Sequence, residues 1–247
     1  MVHSSYLRPL LLATSVALGL SGAAFAAPVA SYGNIVAPGV YFGTGNVNGN
    51  WTIVTDNNVE VSLRAKNRAT GATIDGSSGI YSSAQGLCNG MGICVGSPKA
   101  MWNYEFSVNA HAGGGSLTLP GLFVDLAVDT DSSAAVSFNT LNVLTNWNDN
   151  EFYNGSGKRV DNGLGPQSGE YGVQQSANPM FGNAGFGGVL PGPGLYDLRL
   201  SVYSNSTRSN LLAQVSTQVQ VIPEPSSMAL VGLALLGLAG VGRRWRV

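Results

Sequence analysis

Residues 102–109 read Trp-Asn-Tyr-Glu-Phe-Ser-Val-Asn, with an apolar side chain at every even position and a polar one at every odd position. Successive side chains of a β-strand point to opposite faces, so this alternation is typical of a strand that buries one face. The segment predicts an antiparallel strand whose polar face meets water.

The same alternation recurs along the chain, which predicts an all-β fold of about eight strands. We expect an antiparallel β-sandwich of the jelly-roll or immunoglobulin-like type, and a closed barrel is the alternative. Residues 205–210 (NSTRSN) predict a hairpin loop between the last two strands. The further alternating segments are 59–66, 122–128, 196–202 and 213–221.

Residues 146–194 are rich in Gly, Asn and Pro and show little alternation. A run of this length without regular structure is unusual in a compact domain. We expect one short strand over residues 171–175 and an irregular loop elsewhere.

The composition excludes several classes of function. Only 10% of the 247 residues are charged, against a typical ~25%, and the formal net charge is −1. No cluster of Lys and Arg precedes the last five residues, so we expect no nucleic-acid partner. Two histidines and two cysteines leave little material for a zinc site, and we expect no cofactor.

The first 26 residues predict a signal peptide. Arg8 precedes an apolar run of eleven residues, 10–20, which as a helix would span ~16 Å, roughly half a bilayer. Ala24 and Ala26 supply the small residues that signal peptidase requires, placing the cut before Ala27. A buried N-terminal helix is the alternative.

The last 25 residues predict a membrane-spanning tail. Residues 226–242 contain no charge and would span ~25 Å as a helix, which is short for a transmembrane segment. The positive-inside rule keeps the three arginines that follow in the cytoplasm, so residues 27–222 form an exported domain. A buried core helix is the alternative. The stop-transfer residues are Arg243, Arg244 and Arg246.

Pro223, Glu224 and Pro225 immediately precede this apolar segment. Together with the basic end and the signal peptide, the tail resembles the PEP-CTERM sorting signal, also catalogued as the ice-binding protein C-terminal domain. The resemblance implies recognition by exosortase, an integral membrane cysteine protease of Gram-negative bacteria that make exopolysaccharide. It also implies cleavage near the Pro-Glu-Pro motif and delivery of the domain to the cell surface or its polymer matrix.

Two further sets of residues carry predictions within the exported domain. Cys88 and Cys94 lie six residues apart in a glycine-rich turn, and in an oxidising compartment they predict a disulfide. Half of a metal site is the alternative. His111 follows a strand without a Gly-x-Ser-x-Gly motif elsewhere in the chain, so we expect a solvated loop histidine and no catalytic triad.

Oxygen-rich loops hold calcium in some proteins, and two such runs occur here. They contain Asp129 with Asp131, and Asp149 with Glu151, and hydrogen bonding within turns is the alternative role for these side chains. Trp147, Phe152 and Tyr153 are aromatic residues in an Asn-rich segment. They are candidate contacts for sugar rings, and closing one end of the sandwich is the alternative.

We therefore expect an exported protein of the cell surface or the exopolysaccharide matrix, without catalytic activity and sorted by exosortase. A carbohydrate-binding module built around Trp147 is the alternative function. A glycosidase would require two carboxyl groups about 5 to 10 Å apart in a groove.

Overall fold

The computed structural model describes residues 29–36, 39–42, 47–88, 94 and 98–223. The alternating segments form strands, as predicted, and the described residues contain fourteen of them. A single helical turn, α1 (Val143–Asn146), and two 3-10 turns (Ala112–Gly114 and Leu119–Gly121) complete the regular structure of these described residues. The strands are β1 Ser31–Gly33, β2 Trp51–Asp56, β3 Val59–Asn67, β4 Ile80–Ala84, β5 Leu87–Cys88, β6 Lys99–Ala100, β7 Trp102–Asn109, β8 Phe123–Asp129, β9 Phe138–Asn142, β10 Glu151–Asn154, β11 Gly157–Val160, β12 Gly172–Ala177, β13 Gly194–Tyr203 and β14 Leu211–Ile222.

These strands form two principal sheets. The large sheet has seven strands in the order β1-β2-β3-β7-β12-β10-β11, and the small sheet has five in the order β4-β14-β13-β8-β9. Strands β5 and β6 form a separate two-stranded ribbon. The prediction of an all-β fold is confirmed. The expectation of purely antiparallel pairing is wrong at one place, because β4 runs parallel to β14.

The two principal sheets bury apolar side chains in one shared core. Leu63 on β3 and Phe106 on β7 are paired neighbours on the inner face of the large sheet. Leu126 on β8 and Leu198 on β13 come from the small sheet. All four are fully buried. Each buried aliphatic side chain contributes about 1.5–3 kcal/mol relative to an exposed one, so this alternation is the main source of stability.

The outer face of the small sheet is polar and wet, as its alternation predicts. Along β14, the apolar Val215, Val219 and Val221 are buried, whereas Ser216 and Gln220 between them are exposed. The hairpin predicted between the last two strands is confirmed, since β13 pairs with β14 from Gly194 to Tyr203.

The polar face of the large sheet is dry, and here the prediction of a wet face is wrong. Every residue of β7 is buried, including Glu105 and Ser107, and the polar Ser62 and Arg64 on β3 are buried as well. The physical reason is a second layer formed by the chain before β2. We call residues 34–36, 39–42 and 47–50 the covering segment.

The covering segment adds a second, smaller hydrophobic cluster on the outside of the large sheet. Its members Ile35, Val40 and Phe42 pack with the buried side chains of Trp51 and Ile53 on β2. Tyr153 on β10 joins them on the same outer face of the sheet. The large sheet is therefore the middle layer of this part of the molecule.

Residues 146–194 contain more strand than the sequence predicts. The expected strand near residues 171–175 exists as β12, and β10 pairs with both β12 and β11. Strand β10 does not alternate clearly in sequence because both of its faces are buried, and β11 does not because it is a mostly exposed edge strand. The prediction of an irregular loop over the rest of this region is therefore partly wrong.

Both predicted terminal segments lie outside the described residues. These are the signal peptide 1–26 with its cleavage residues Ala24, Ala26 and Ala27, and the tail from Glu224 onward. Within the described ranges no helix is both long and apolar enough to cross a membrane.

Candidate functional site

The last strand of the fold leads directly into the predicted sorting motif. Val221 on β14 pairs with Gly194 and is buried, and Ile222 pairs with Ala84. The Ile222 carbonyl also accepts a hydrogen bond of 2.7 Å from the Gln85 N–H. Pro223 follows at once and is exposed. No linker separates the sheet from the motif.

The sorting motif is only partly described. Pro223 lies directly after the C-terminal end of β14. Glu224 and Pro225 lie outside the described residues, as do Arg243, Arg244 and Arg246. Strand β14 has β13 on one side and β4 on the other, so its ladders hold it up to Ile222. A cut after Ile222 would remove none of the hydrogen bonds of this sheet.

The predicted disulfide is confirmed. Cys88 at the end of β5 is bonded to Cys94, and their Cα atoms lie 5.7 Å apart. The bond closes a short loop and contributes about 2 kcal/mol by the loop-entropy argument. The alternative, half of a metal site, is excluded because both sulfur atoms are used in the bond.

The prediction that three aromatic residues form an exposed sugar-contacting site is wrong. Trp147, Phe152 and Tyr153 are all buried, so none presents an open ring face to a glycan. The Trp147 ring packs on Phe106, with centroids 5.5 Å apart. The Tyr153 hydroxyl donates to the Val108 carbonyl at 2.9 Å. These side chains are core residues because they lie on both faces of the covered large sheet.

The first pair of candidate calcium ligands acts within a turn. Asp129 Oδ1 accepts hydrogen bonds from the N–H groups of Asp131 (3.0 Å) and Ser137 (2.8 Å). Asp131 in turn accepts from the Ser133 N–H at 2.8 Å, and this bond lowers the pKa of the Asp131 carboxyl. Among the residues that the structure describes, no group of three or more His, Cys, Asp or Glu side chains could hold a metal ion.

His111 is half-buried, which differs from the solvated loop position that we expected. Its ring stacks on Tyr171 with centroids 3.9 Å apart and planes inclined by 12°. The backbone N–H of His111 donates to Asn109 Oδ1 at 3.0 Å. The side chain therefore takes part in packing at the end of β7.

The second candidate calcium pair lies at a cleft that the sequence did not predict. The cleft has a volume of about 520 Å³ on the outer side of the large sheet. Asp149 accepts a hydrogen bond of 2.8 Å from Gln175 Nε2, and Glu151 forms an ion pair of 3.4 Å with Lys158. Tyr41, Arg68, Asn103 and Phe181 also line it. No sequence signal could have found this cleft, because its walls come from five distant parts of the chain.

Comparison with known proteins identifies the tail and nothing else. Residues 221–244 match the family model described as the PEP-CTERM protein-sorting motif, so the resemblance in the sequence is confirmed. The motif implies export, transient anchoring in the membrane and processing by exosortase, a membrane protein. No curated protein and no solved structure matches the chain.

Proposed function

We propose that this chain is a non-catalytic protein of the cell surface or exopolysaccharide matrix, released there as a folded domain after exosortase cuts its tail. The observation that carries the proposal is the junction at Ile222, where the last residue of β14 meets the sorting motif. Because the ladder ends before the motif, cleavage near Glu224 separates the domain from the membrane without disturbing the sheet.

The architecture supports a passive, durable role outside the cell. The shared core and the Cys88–Cys94 bond both stabilise a domain that works where no chaperone is present. We also propose that the two principal sheets together form a β-sandwich. The absence of catalysis is proposed from the composition, since His111 is the one histidine left after the predicted signal cleavage.

Mapping the C-terminus by mass tests the proposal. In exosortase-positive cells, we expect the mature protein to begin at Ala27 and to end within or close to residues 223–225. In cells lacking the protease, we expect the protein in the membrane fraction, with a mass that includes the tail through Val247. Identical masses in both strains, or an intact tail in the matrix fraction, would contradict the proposal.

Carbohydrate binding at the cleft of the large sheet is a second candidate function. It is favoured by the mixed lining, in which the half-buried Tyr41 and Phe181 rings accompany the exposed Asp149 carboxylate and the Asn103 amide. Sugar sites combine apolar ring surfaces with a few polar groups in this way. This cleft replaces the Trp147 site, which is buried.

Binding of the purified matrix polysaccharide, measured by calorimetry, tests this second candidate. Asp149→Ala should weaken binding by about tenfold, the effect of losing one charge-assisted hydrogen bond. Asp131→Ala is the matched control, because that half-buried carboxylate lies away from the cleft and also accepts a hydrogen bond, from the Ser133 N–H in its own turn. Equal affinities in both variants would remove the cleft from consideration.

A further inference from the structure

Four chain segments meet at the end of the small sheet from which the tail departs. Strand pairing places them together, because Ile222 pairs with Ala84, Val221 with Gly194, and Asp129 with Phe138. We call this surface the exit end. It consists of residues 85–88, 130–137, 186–193 and 222–223.

Direct contacts hold these segments against one another. Thr130 and Ser132 share a cavity of about 240 Å³ with Val189, Leu190 and other residues of segment 186–193. On the opposite side of β14, the Gln85 N–H donates to the Ile222 carbonyl. The strand pairing and these contacts place all four segments at one end of the small sheet, around the strand from which the tail departs.

The exit end exposes one aliphatic side chain from each of its four segments. The exposed fractions are 42% for Leu87, 51% for Val136, 66% for Val189 and 45% for Ile222. Asp131 is the one charged residue in these segments. Scattered exposed aliphatics are ordinary, but a nearly uncharged surface that collects four of them around one strand end indicates a contact partner.

The opposite end of the same sheet has a different character. There the hairpin of residues 204–210 reads SNSTRSN and contains no apolar side chain, although the exposed Leu211 follows it. Its Arg208 pairs with Asp125, with Nε and Oδ2 2.9 Å apart. The hairpin at the opposite end is thus more polar than the exit end, from which the tail departs.

The length of chain between the sheet and the tail identifies the partner. Three residues, 223–225, separate Ile222 from the uncharged run that starts at Ser226. Fully extended, they span at most about 11 Å. The headgroup layer on each side of a bilayer is roughly 5–8 Å thick. An anchored tail therefore holds the exit end at the level of the lipid headgroups.

We propose that, while the tail is anchored, the exit end rests in the headgroup layer of the lipid bilayer with Leu87, Val136, Val189 and Ile222 in contact with lipid. This inference rests on the proposed function, because it requires the anchored form. The contact orients the domain with the hairpin between β13 and β14, residues 204–210, facing away from the membrane. It also holds Pro223, the start of the sorting motif, at the bilayer surface, within reach of a protease embedded in the membrane.

The test uses the full chain in vesicles of phosphatidylethanolamine and phosphatidylglycerol. Val136→Cys and Val189→Cys variants receive an environment-sensitive fluorophore, and Ser206→Cys at the opposite end is the matched control. The native cysteines are bonded to each other and do not react with the label. For both exit-end labels we expect a blue-shifted emission and loss of quenching by aqueous iodide, with neither change at residue 206.

Flotation of the same vesicles separates the two proposals. If the chain floats but its exit-end labels are as accessible to iodide as the control label, the anchored state stands and lipid contact is overturned. A chain that does not float overturns the anchored state and the inference together. Protection that appears only when exosortase is present in the vesicles also overturns lipid contact, because it assigns the surface to the protease.

As a second measurement, a Val136→Ser and Val189→Ser double variant tests the contact without a label. These side chains are exposed, so we expect the variant to fold with an unchanged melting temperature. In vesicles, the amides of residues 130–137 should exchange hydrogen faster in the double variant than in the unmodified chain. Equal exchange rates in the two proteins would contradict a lipid contact.

Discussion

The two principal sheets are built from similar alternating sequences, yet only one has a wet face. On the small sheet, the polar residues of β14 point to solvent. On the large sheet, the polar residues of β3 and β7 lie beneath the covering segment and are buried. Alternation thus tells which face of a strand is polar, but it does not tell whether that face meets water.

The buried polar face is tolerated because its charged side chains are paired with one another. Arg64 Nε lies 2.6 Å from Glu105 Oε2, and Lys66 Nζ lies 3.4 Å from Glu105 Oε1. Arg64 Nη1 also donates to the carbonyls of Val47 and Gly49, both at 2.7 Å. An unpaired charge in this place would cost several kcal/mol, so the covering segment and the ion cluster depend on each other.

The covering segment also makes hydrogen bonds to other polar side chains of the large sheet. Glu60 accepts hydrogen bonds from the Val36 N–H at 3.1 and 3.0 Å. Gln174 accepts from the Tyr41 N–H and donates to the Gly39 carbonyl, both at 2.9 Å. Polar side chains here replace the backbone ladder that would hold a segment at the edge of a sheet.

The largest effect that we predict comes from breaking the buried ion cluster. Glu105→Ala should lower the free energy of unfolding by about 3–5 kcal/mol, because it leaves Arg64 buried without its carboxylate. Asp125→Ala on the small sheet is the control. It breaks a partly exposed Arg–carboxylate pair, with Arg208, and should cost about 1 kcal/mol or less. Similar losses in urea unfolding for both variants would show that the outer face of the large sheet is hydrated.

A smaller effect is expected from removing one anchor of the covering segment. Gln174→Ala should cost about 1–3 kcal/mol, because the N–H of Tyr41 and the carbonyl of Gly39 both lose their partner. Gln218→Ala on the small sheet removes a half-buried amide that donates to Asp197 and should cost under about 1 kcal/mol.

Hydrogen exchange provides the specific readout for this pair of variants. The Tyr41 amide should exchange faster in Gln174→Ala and remain unchanged in Gln218→Ala. Unchanged exchange at Tyr41 in both variants would mean that other contacts hold the covering segment.

The smallest effect concerns tyrosine ionisation on the two faces of the large sheet. Burial raises the pKa of Tyr104 on the inner face and of Tyr153 on the outer face above the ordinary value of 10.0, and the charge of Glu60 raises that of Tyr153 further. Above pH 10.0 these phenols stay protonated in the folded state and ionise in the unfolded state. The unfolded state then binds fewer protons, so the free energy of unfolding falls as the pH rises.

Tyr153→Phe tests whether the outer face is as dry as the inner one. The variant should lose less stability per pH unit above pH 10.0 than the unmodified protein, and Tyr104→Phe should show a similar change. Phenolate absorbance during alkaline unfolding provides the measurement. If only Tyr104→Phe alters the slope, Tyr153 ionises freely and the outer face is wet.

Much of the molecule follows from local sequence. The alternation in segments such as 102–109 identified strands and their apolar faces, because side-chain direction in a strand is a property of the backbone alone. The spacing of Cys88 and Cys94 predicted their bond, since six residues in a turn bring the sulfurs together. The tail was recognisable from Pro223 onward because a sorting signal is contiguous in sequence.

Only the tertiary structure decided which polar faces are covered and that Trp147, Phe152 and Tyr153 are core residues. It also decided that four chain segments meet at the exit end. Each of these features depends on contacts between distant residues, such as Gln174 with Gly39, which are 135 positions apart. Periodicity reports how a strand divides its own side chains. Burial depends on what other segments pack against it, and that is set by the free energy of the whole fold.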